Sequence, residues 1–121
     1  PTISEIQYAS PGFIRFRLDA SVANLVMQSI EDLRKNNKLI GKAYADIGKY
    51  IFENDLNETD NVDSSHDEFL TTQAKVLMSG FSAIKADSFL EKCRRPFEAA
   101  KIARSFFNCI RDLNRFETNG Q

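Results

Sequence analysis

Residues 1–18 contain two short segments in which apolar and polar residues alternate, the period of two that is typical of β-strands. Between them, Pro11 and Gly12 favour a tight turn, because proline presets φ and glycine accepts the positive φ of a type II turn. The pattern predicts a β-hairpin with one apolar and one basic face. We expect this hairpin to dock a partner through its free edge and these candidate residues: Ile6, Tyr8, Phe13, Arg15 and Arg17.

From residue 20 onwards, apolar residues recur every three or four positions, which predicts helices. Residues 20–52 fit two helices. The first is capped by Asp19 or Ser21 and runs through Asn36, and the second runs from Lys38 to Phe52.

Three small residues, Gly41, Ala45 and Gly48, share a side of the second predicted helix away from its apolar stripe. Two interpretations stay open. Either another backbone approaches this side closely, or the glycines are merely tolerated, at a cost of roughly 1 kcal/mol each relative to alanine.

Residues 53–68 are polar and acidic, which predicts a loop, and Ser65 with Glu68 forms the pattern of a capping box at its end. Residues 69–117 are expected to be helical, with a third helix, a short helix and a last helix that starts at Pro96; residues 118–121 should fray. The last helix should bury one wide face, with Ile102 and Phe107 at its edges: Ala99, Ala103, Phe106, Ile110 and Leu113.

The predicted fold class is therefore mainly α: a bundle of about four helices preceded by an N-terminal β-hairpin. The length of 121 residues fits a single domain, residues 1–121, with a core that needs neither disulfides nor metal. Its ten phenylalanines and lack of tryptophan point to a core rich in phenylalanine.

The cysteines and the absence of targeting signals predict a cytoplasmic protein. Cys93 and Cys109 have no zinc-site or CxxC spacing, and two lone thiols fit a reducing compartment. The chain shows neither a signal peptide nor an apolar run of membrane-spanning length, so we expect no membrane contact. Its start at Pro1 fits either removal of an initiator methionine or a piece of a longer polypeptide.

A basic stripe on the last helix is the strongest candidate site for an anion or an acidic partner. At about 100° per residue, four of its cations and the side chain of Phe97 share one narrow arc, on the exposed side. The full candidate set includes two arginines just upstream: Arg94, Arg95, Lys101, Arg104, Arg111 and Arg115. The competing interpretation is an ordinary solvated helix face, and the net charge of −1 gives the chain no overall preference for nucleic acid.

The remaining chemistry-bearing residues do not form a recognisable catalytic or metal site. His66 is the only histidine and lies in the predicted loop beside Asp67, where it is expected to be a surface residue or a weak pH sensor. Cys93 would be activated by its basic neighbours if it were exposed, whereas Cys109 is expected to pack among apolar residues. The acidic loop departs from EF-hand spacing, because Val62 occupies the glycine position.

These observations favour a non-enzymatic protein–protein interaction or regulatory module without a cofactor, docking through the hairpin edge and helix surfaces. Its expected partner is another protein or a second copy, as in a homodimer. The alternative is a nucleic-acid or polyphosphate binder that uses the basic stripe. A small enzyme with dispersed site residues ranks third.

Overall fold

The computed structural model describes residues 5–8, 14–17, 20–57 and 62–118, with side chains from residue 23 and to residue 116. It is mainly helical, which confirms the predicted class, with five helices in the described part of the chain. The helices are α1 (Ala20–Lys35), α2 (Asn37–Glu53), α3 (Asp67–Ser79), α4 (Ala86–Lys92) and α5 (Pro96–Thr118), and a 3-10 turn (Ser64–His66) precedes α3.

Two strand segments precede the helices: β1 (Glu5–Tyr8) and β2 (Ile14–Arg17), which pair antiparallel with Ile6 opposite Phe16. The turn between them and their side chains lie outside the described residues. The amphipathic docking hairpin therefore stays a prediction.

Most helix boundaries follow the local signals in the sequence. Asn36 alone separates α1 from α2, and α5 begins at Pro96, where a missing N–H has no helical partner to lose. Ser21 lies inside α1 rather than at its cap, and Asp19 lies outside the described residues.

The predicted capping box at the start of α3 is wrong. Asp63 is the capping residue, and its side chain accepts a hydrogen bond from the Ser65 backbone N–H at 2.9 Å. This bond starts the 3-10 turn, so Ser65 is already inside a helical turn and cannot cap α3.

The C-terminus of α2 closes in a Schellman arrangement. Asp55 has a φ of 51°, its N–H bonds to the Phe52 carbonyl, and the Leu56 N–H bonds to the Ile51 carbonyl. These bonds satisfy carbonyls at the end of the helix and fix where the acidic loop leaves it.

Helix α2 runs antiparallel to both α3 and α5. Tyr50 near its end stacks on Phe69 at the start of α3, whereas Ile40 near its start lies against Gly80 at the end of α3. The residues of α5 that contact α2 have lower numbers as the α2 numbers rise: Tyr44 stacks on Phe107, and Gly48 lies against Arg104. Consequently α3 and α5 run parallel, and the segment that contains α4 returns the chain between them.

The core lies among α2, α3 and α5 and is closed by α1. Its largest fully buried side chains are Phe81, Ile40, Ile47, Leu70, Leu77 and Ile110. On α5, Phe97, expected on the exposed side, is buried, and Ile102, expected at the edge of the buried face, is 44% exposed, so these two predictions are wrong. Phe106 is half-buried and packs against the core, with an edge-on contact to Phe81.

Asp32 ties the end of α1 to the loop after α3. Its carboxylate accepts hydrogen bonds from the Ser82 backbone N–H and hydroxyl, both at 2.8 Å, and from the Gln28 side chain. Burial raises the pKa of Asp32, but these hydrogen bonds outweigh it and hold the pKa below 3.8. The charged carboxylate thereby joins α1 to the loop through two hydrogen bonds from the exposed Ser82.

Candidate functional site

Arg104 lies flat against α2 instead of extending into solvent. Its guanidinium carbon is 4.3 Å from the centre of the Tyr44 ring. The same group covers Gly48, where an added Cβ would stand 2.7 Å from Nη2. Glycine at this position therefore leaves room for a cation to stack on the neighbouring aromatic ring.

A second arginine reaches the same ring. The Arg111 guanidinium carbon is 5.7 Å from the Tyr44 ring centre and 5.5 Å from that of Phe107. The two rings are themselves stacked, with centroids 4.2 Å apart and planes 23° from parallel. We call this group of five residues the Tyr44 cluster: Tyr44, Gly48, Arg104, Phe107 and Arg111.

The positive charge of the Tyr44 cluster is only partly compensated. Asp112 lies 3.6 Å from Arg111 Nε and 3.8 Å from Arg115 Nη1. Arg104 makes no ion pair with any described residue. The cluster therefore presents a cation that is held in place by packing and has no acidic partner in the described part of the chain.

The Arg104 guanidinium lies over the Tyr44 ring, whereas the more distant Arg111 guanidinium is also paired with Asp112. The Nε atoms of Arg104 and Arg111 are buried and have no hydrogen-bond partner among the described residues, yet each residue as a whole is only half-buried. A stacked guanidinium keeps its planar set of donors in one orientation, which lowers the entropy lost when it binds a carboxylate or phosphate.

The predicted basic stripe divides into separate groups. Arg104 and Arg111 belong to the Tyr44 cluster, Arg115 is exposed beside it, and Lys101 lies 5.5 Å from the centre of the buried Phe97 ring. Arg94 and Arg95 are exposed in the connection before α5. Arg95 lines an open cavity of about 340 Å³ with Phe97, Glu98, Lys101, Ile102 and Ser105.

No backbone of another described element lies against the small side of α2. The nearest atom to a Cβ at Gly41 is the Asn37 side-chain oxygen at 4.0 Å, and at Gly48 the neighbour is Arg104. Close backbone approach by another described segment is therefore not observed, and the simple-tolerance interpretation fails at Gly48, where Arg104 occupies the space.

Sequence reasoning missed Tyr44, Gly48 and Phe107 as site residues. The available signal was a glycine within a predicted helix, one turn after a tyrosine on the edge of the apolar stripe. This signal does not indicate which other helix packs at that position. The predicted hairpin residues Ile6, Tyr8, Phe13, Arg15 and Arg17 have side chains outside the described part of the structure.

The pKa of each cysteine thiol is raised above its ordinary value. Burial raises the pKa of the half-buried Cys93 thiol and the charge of Glu98 adds to this, so the exposure on which activation by its basic neighbours depends is not met. Burial, with a contribution from Asp112, raises the pKa of Cys109 to about 11. Cys109 packs against the core, as predicted.

His66 is not a free surface residue, because its Nδ1 is hydrogen-bonded to the Tyr50 hydroxyl at 2.7 Å. Its ring meets Tyr50 edge-on, and Tyr50 stacks on Phe69 with centroids 4.1 Å apart. We call these three residues the Tyr50 cluster.

The described residues contain neither a candidate metal site nor a membrane-spanning helix. No group of three or more His, Cys, Asp or Glu side chains there is arranged to hold a metal ion. None of the helices in that part of the chain combines the length and apolar character needed to cross a membrane.

Comparisons of this chain with protein-family models, with curated proteins and with solved structures found no match.

Proposed function

We propose that this protein is a non-enzymatic protein-interaction module that binds carboxylate side chains of an acidic protein partner at the Tyr44 cluster. The observation that carries the proposal is the Arg104 guanidinium, stacked 4.3 Å from the Tyr44 ring centre and without an acidic partner among the described residues.

The composition of the cluster supports a protein partner. Arginine and tyrosine are enriched in protein interfaces and in the residues that dominate binding energy, because each combines apolar contact area with directional hydrogen bonds. The neighbouring charges of Arg111 and Arg115 would speed the approach of an acidic segment and orient it.

A phosphate-rich partner is the competing possibility. Nucleic acids are favoured by long tracks of regularly spaced cations, whereas Arg94 and Arg95 lie apart from the Tyr44 cluster, in the connection before α5. Because these cations do not form one continuous track, a short acidic protein segment is favoured over a polynucleotide.

Fluorescence anisotropy with a labelled glutamate-rich peptide tests the proposal, with a mixed-sequence RNA as a competing probe. We expect the peptide to bind, its affinity to fall with added salt, and Arg104→Gln to weaken binding about tenfold, since a charge-assisted hydrogen bond contributes about 1.5–3 kcal/mol.

Arg94→Gln is the matched control, because it removes the same charge from an exposed arginine outside the cluster. Gly48→Ala is the geometric variant: it changes no charge but displaces the Arg104 guanidinium, so it should weaken peptide binding as well. Equal losses from Arg94→Gln and Arg104→Gln, or tight binding of RNA without binding of the peptide, would overturn the proposal.

The N-terminal hairpin is proposed as a second docking element. What supports it is the alternating sequence pattern, together with a two-stranded sheet that has no third strand among the described residues. Light scattering before and after removal of residues 1–18 tests self-association through this edge. A truncated chain that is folded and keeps both the oligomeric state and the partners of the full chain would exclude this role.

A further inference from the structure

Phe52, in the last turn of α2, is the most exposed large apolar side chain in the described part of the chain. It is 86% exposed, compared with 57% for Phe116 and 56% for Leu39. Single exposed apolar residues are common on protein surfaces, so the exposure alone does not define a site. Its position relative to the Tyr44 cluster does.

Phe52 follows Gly48 by four positions, so the two residues share one face of α2, about 6 Å apart along the helix axis. The Arg104 guanidinium rests on Gly48, with Nη2 only 2.7 Å from the position of an added Cβ. The exposed ring of Phe52 is therefore the next feature along the surface after the stacked cation.

The charge of this surface reverses beyond Phe52. On one side lie Arg104 and Arg111, and on the other lie the exposed carboxylates of Glu53 and Asp55, at the end of α2 and in the loop that follows. The Schellman bonds around Asp55 hold this end of the helix in one conformation. The surface thus has a cationic zone, an apolar zone and an anionic zone in that order.

Resting on the proposed function, we infer that the partner is an amphipathic acidic segment, whose carboxylates bind the Tyr44 cluster and whose adjoining apolar side chain packs on Phe52. Charge complementarity fixes the register, because acidic residues placed beyond the apolar side chain would meet Glu53 and Asp55. The two contacts have different effects. Carboxylates mainly raise the association rate, whereas burial of an exposed ring slows dissociation.

The test compares three synthetic peptides by anisotropy, with the full chain as receptor. The first has an acidic run followed by leucine and then lysine, the second replaces leucine by serine, and the third replaces lysine by glutamate. We expect the leucine peptide to bind about tenfold more tightly than the serine peptide, because the leucine side chain is buried against Phe52. The glutamate version should bind more weakly than the lysine version.

Variants of the protein assign these differences to residues. Phe52→Ser should remove the preference for leucine and leave the salt dependence unchanged, whereas Arg104→Gln should reduce the salt dependence and preserve the preference. Leu39→Ser is the control, because it removes a similarly exposed apolar side chain near the opposite end of the same helix.

The outcomes separate this inference from the proposed function. If all three peptides bind equally and Phe52→Ser changes nothing, the inference is wrong and the acidic-partner function stands. If no peptide binds, both are wrong. If light scattering shows a dimer that Phe52→Ser converts to a monomer, the occupant of this surface is a second copy, which also overturns the inference.

Discussion

Two aromatic stacks on helix α2 have nearly the same ring geometry but different surroundings. Tyr44 and Phe107 stack at 4.2 Å, and Tyr50 and Phe69 stack at 4.1 Å. The Tyr50 hydroxyl is hydrogen-bonded to His66, whereas Tyr44 is approached by the guanidinium groups of Arg104 and Arg111. The Tyr50 stack ends in a hydrogen bond and the Tyr44 stack ends in two cations, and it is the second that the proposed function assigns to a partner.

The sequence near each stack explains the difference. Beside Tyr50, the turn that starts with Asp63 places the His66 ring edge-on to the tyrosine. Beside Tyr44, Gly48 leaves space that a long side chain from α5 fills. Similar aromatic packing thus fixes a loop in one case and orients a charge in the other.

Truncating the two tyrosines is the largest expected disturbance. Tyr44→Ala and Tyr50→Ala should each lower the free energy of unfolding by about 2–3 kcal/mol, because each removes a half-buried ring stacked on a phenylalanine. Urea denaturation of the two variants measures this. A much smaller loss for Tyr44→Ala would show that its stack does not contribute to the core as the Tyr50 stack does.

Removing only the hydroxyl groups should separate the stacks. Tyr50→Phe breaks the hydrogen bond to His66 and should cost about 1 kcal/mol. Tyr44→Phe should change stability by less than about 0.5 kcal/mol, because no hydrogen bond joins its hydroxyl to another described residue. Thermal melts compare the pair, and equal losses would contradict the distinction drawn between the clusters.

Acid should disturb the loop beside the Tyr50 cluster, and this is the smallest effect. The hydrogen bond from the Ser65 backbone N–H holds the pKa of Asp63 below 3.8, against slight desolvation. Because the folded state favours the charged carboxylate, its stabilising contribution is present above pH 3.8 and is lost as the pH falls through the lowered value. Arginines of the Tyr44 cluster do not titrate in acid.

The Ser65 amide signal in NMR spectra, followed through an acid titration, measures this local change. Its shift should have a midpoint below 3.8, and Asp63→Asn should abolish that transition. A transition that survives in Asp63→Asn would show that another group controls the turn.

Much of the fold was predictable because its signals are local. The spacing of apolar residues located the helices, and Pro96 marked the start of α5 correctly. The capping box failed because Asp63 caps a 3-10 turn that begins before α3, so Ser65 lies inside that turn. On α5, periodicity assigned Phe97 to the wrong side, because a helical wheel cannot show which neighbouring elements cover it.

The candidate site was predictable only in part. Arg104 and Arg111 were identified from their common arc on one helix, but Tyr44, Gly48 and Phe107 were not, since their role depends on the contact between α2 and α5. His66 was assigned to the surface because its partner, Tyr50, lies on another helix.

The sequence by itself determined that this chain forms amphipathic helices, where most of them begin and end, and which residues carry charge, because backbone hydrogen bonding, capping and the helical period act over a few neighbouring residues. Only the tertiary structure decided that an arginine of α5 covers a glycine of α2 and stacks on Tyr44. That contact joins residues distant in the chain, and its geometry follows from how the helices pack around their shared core.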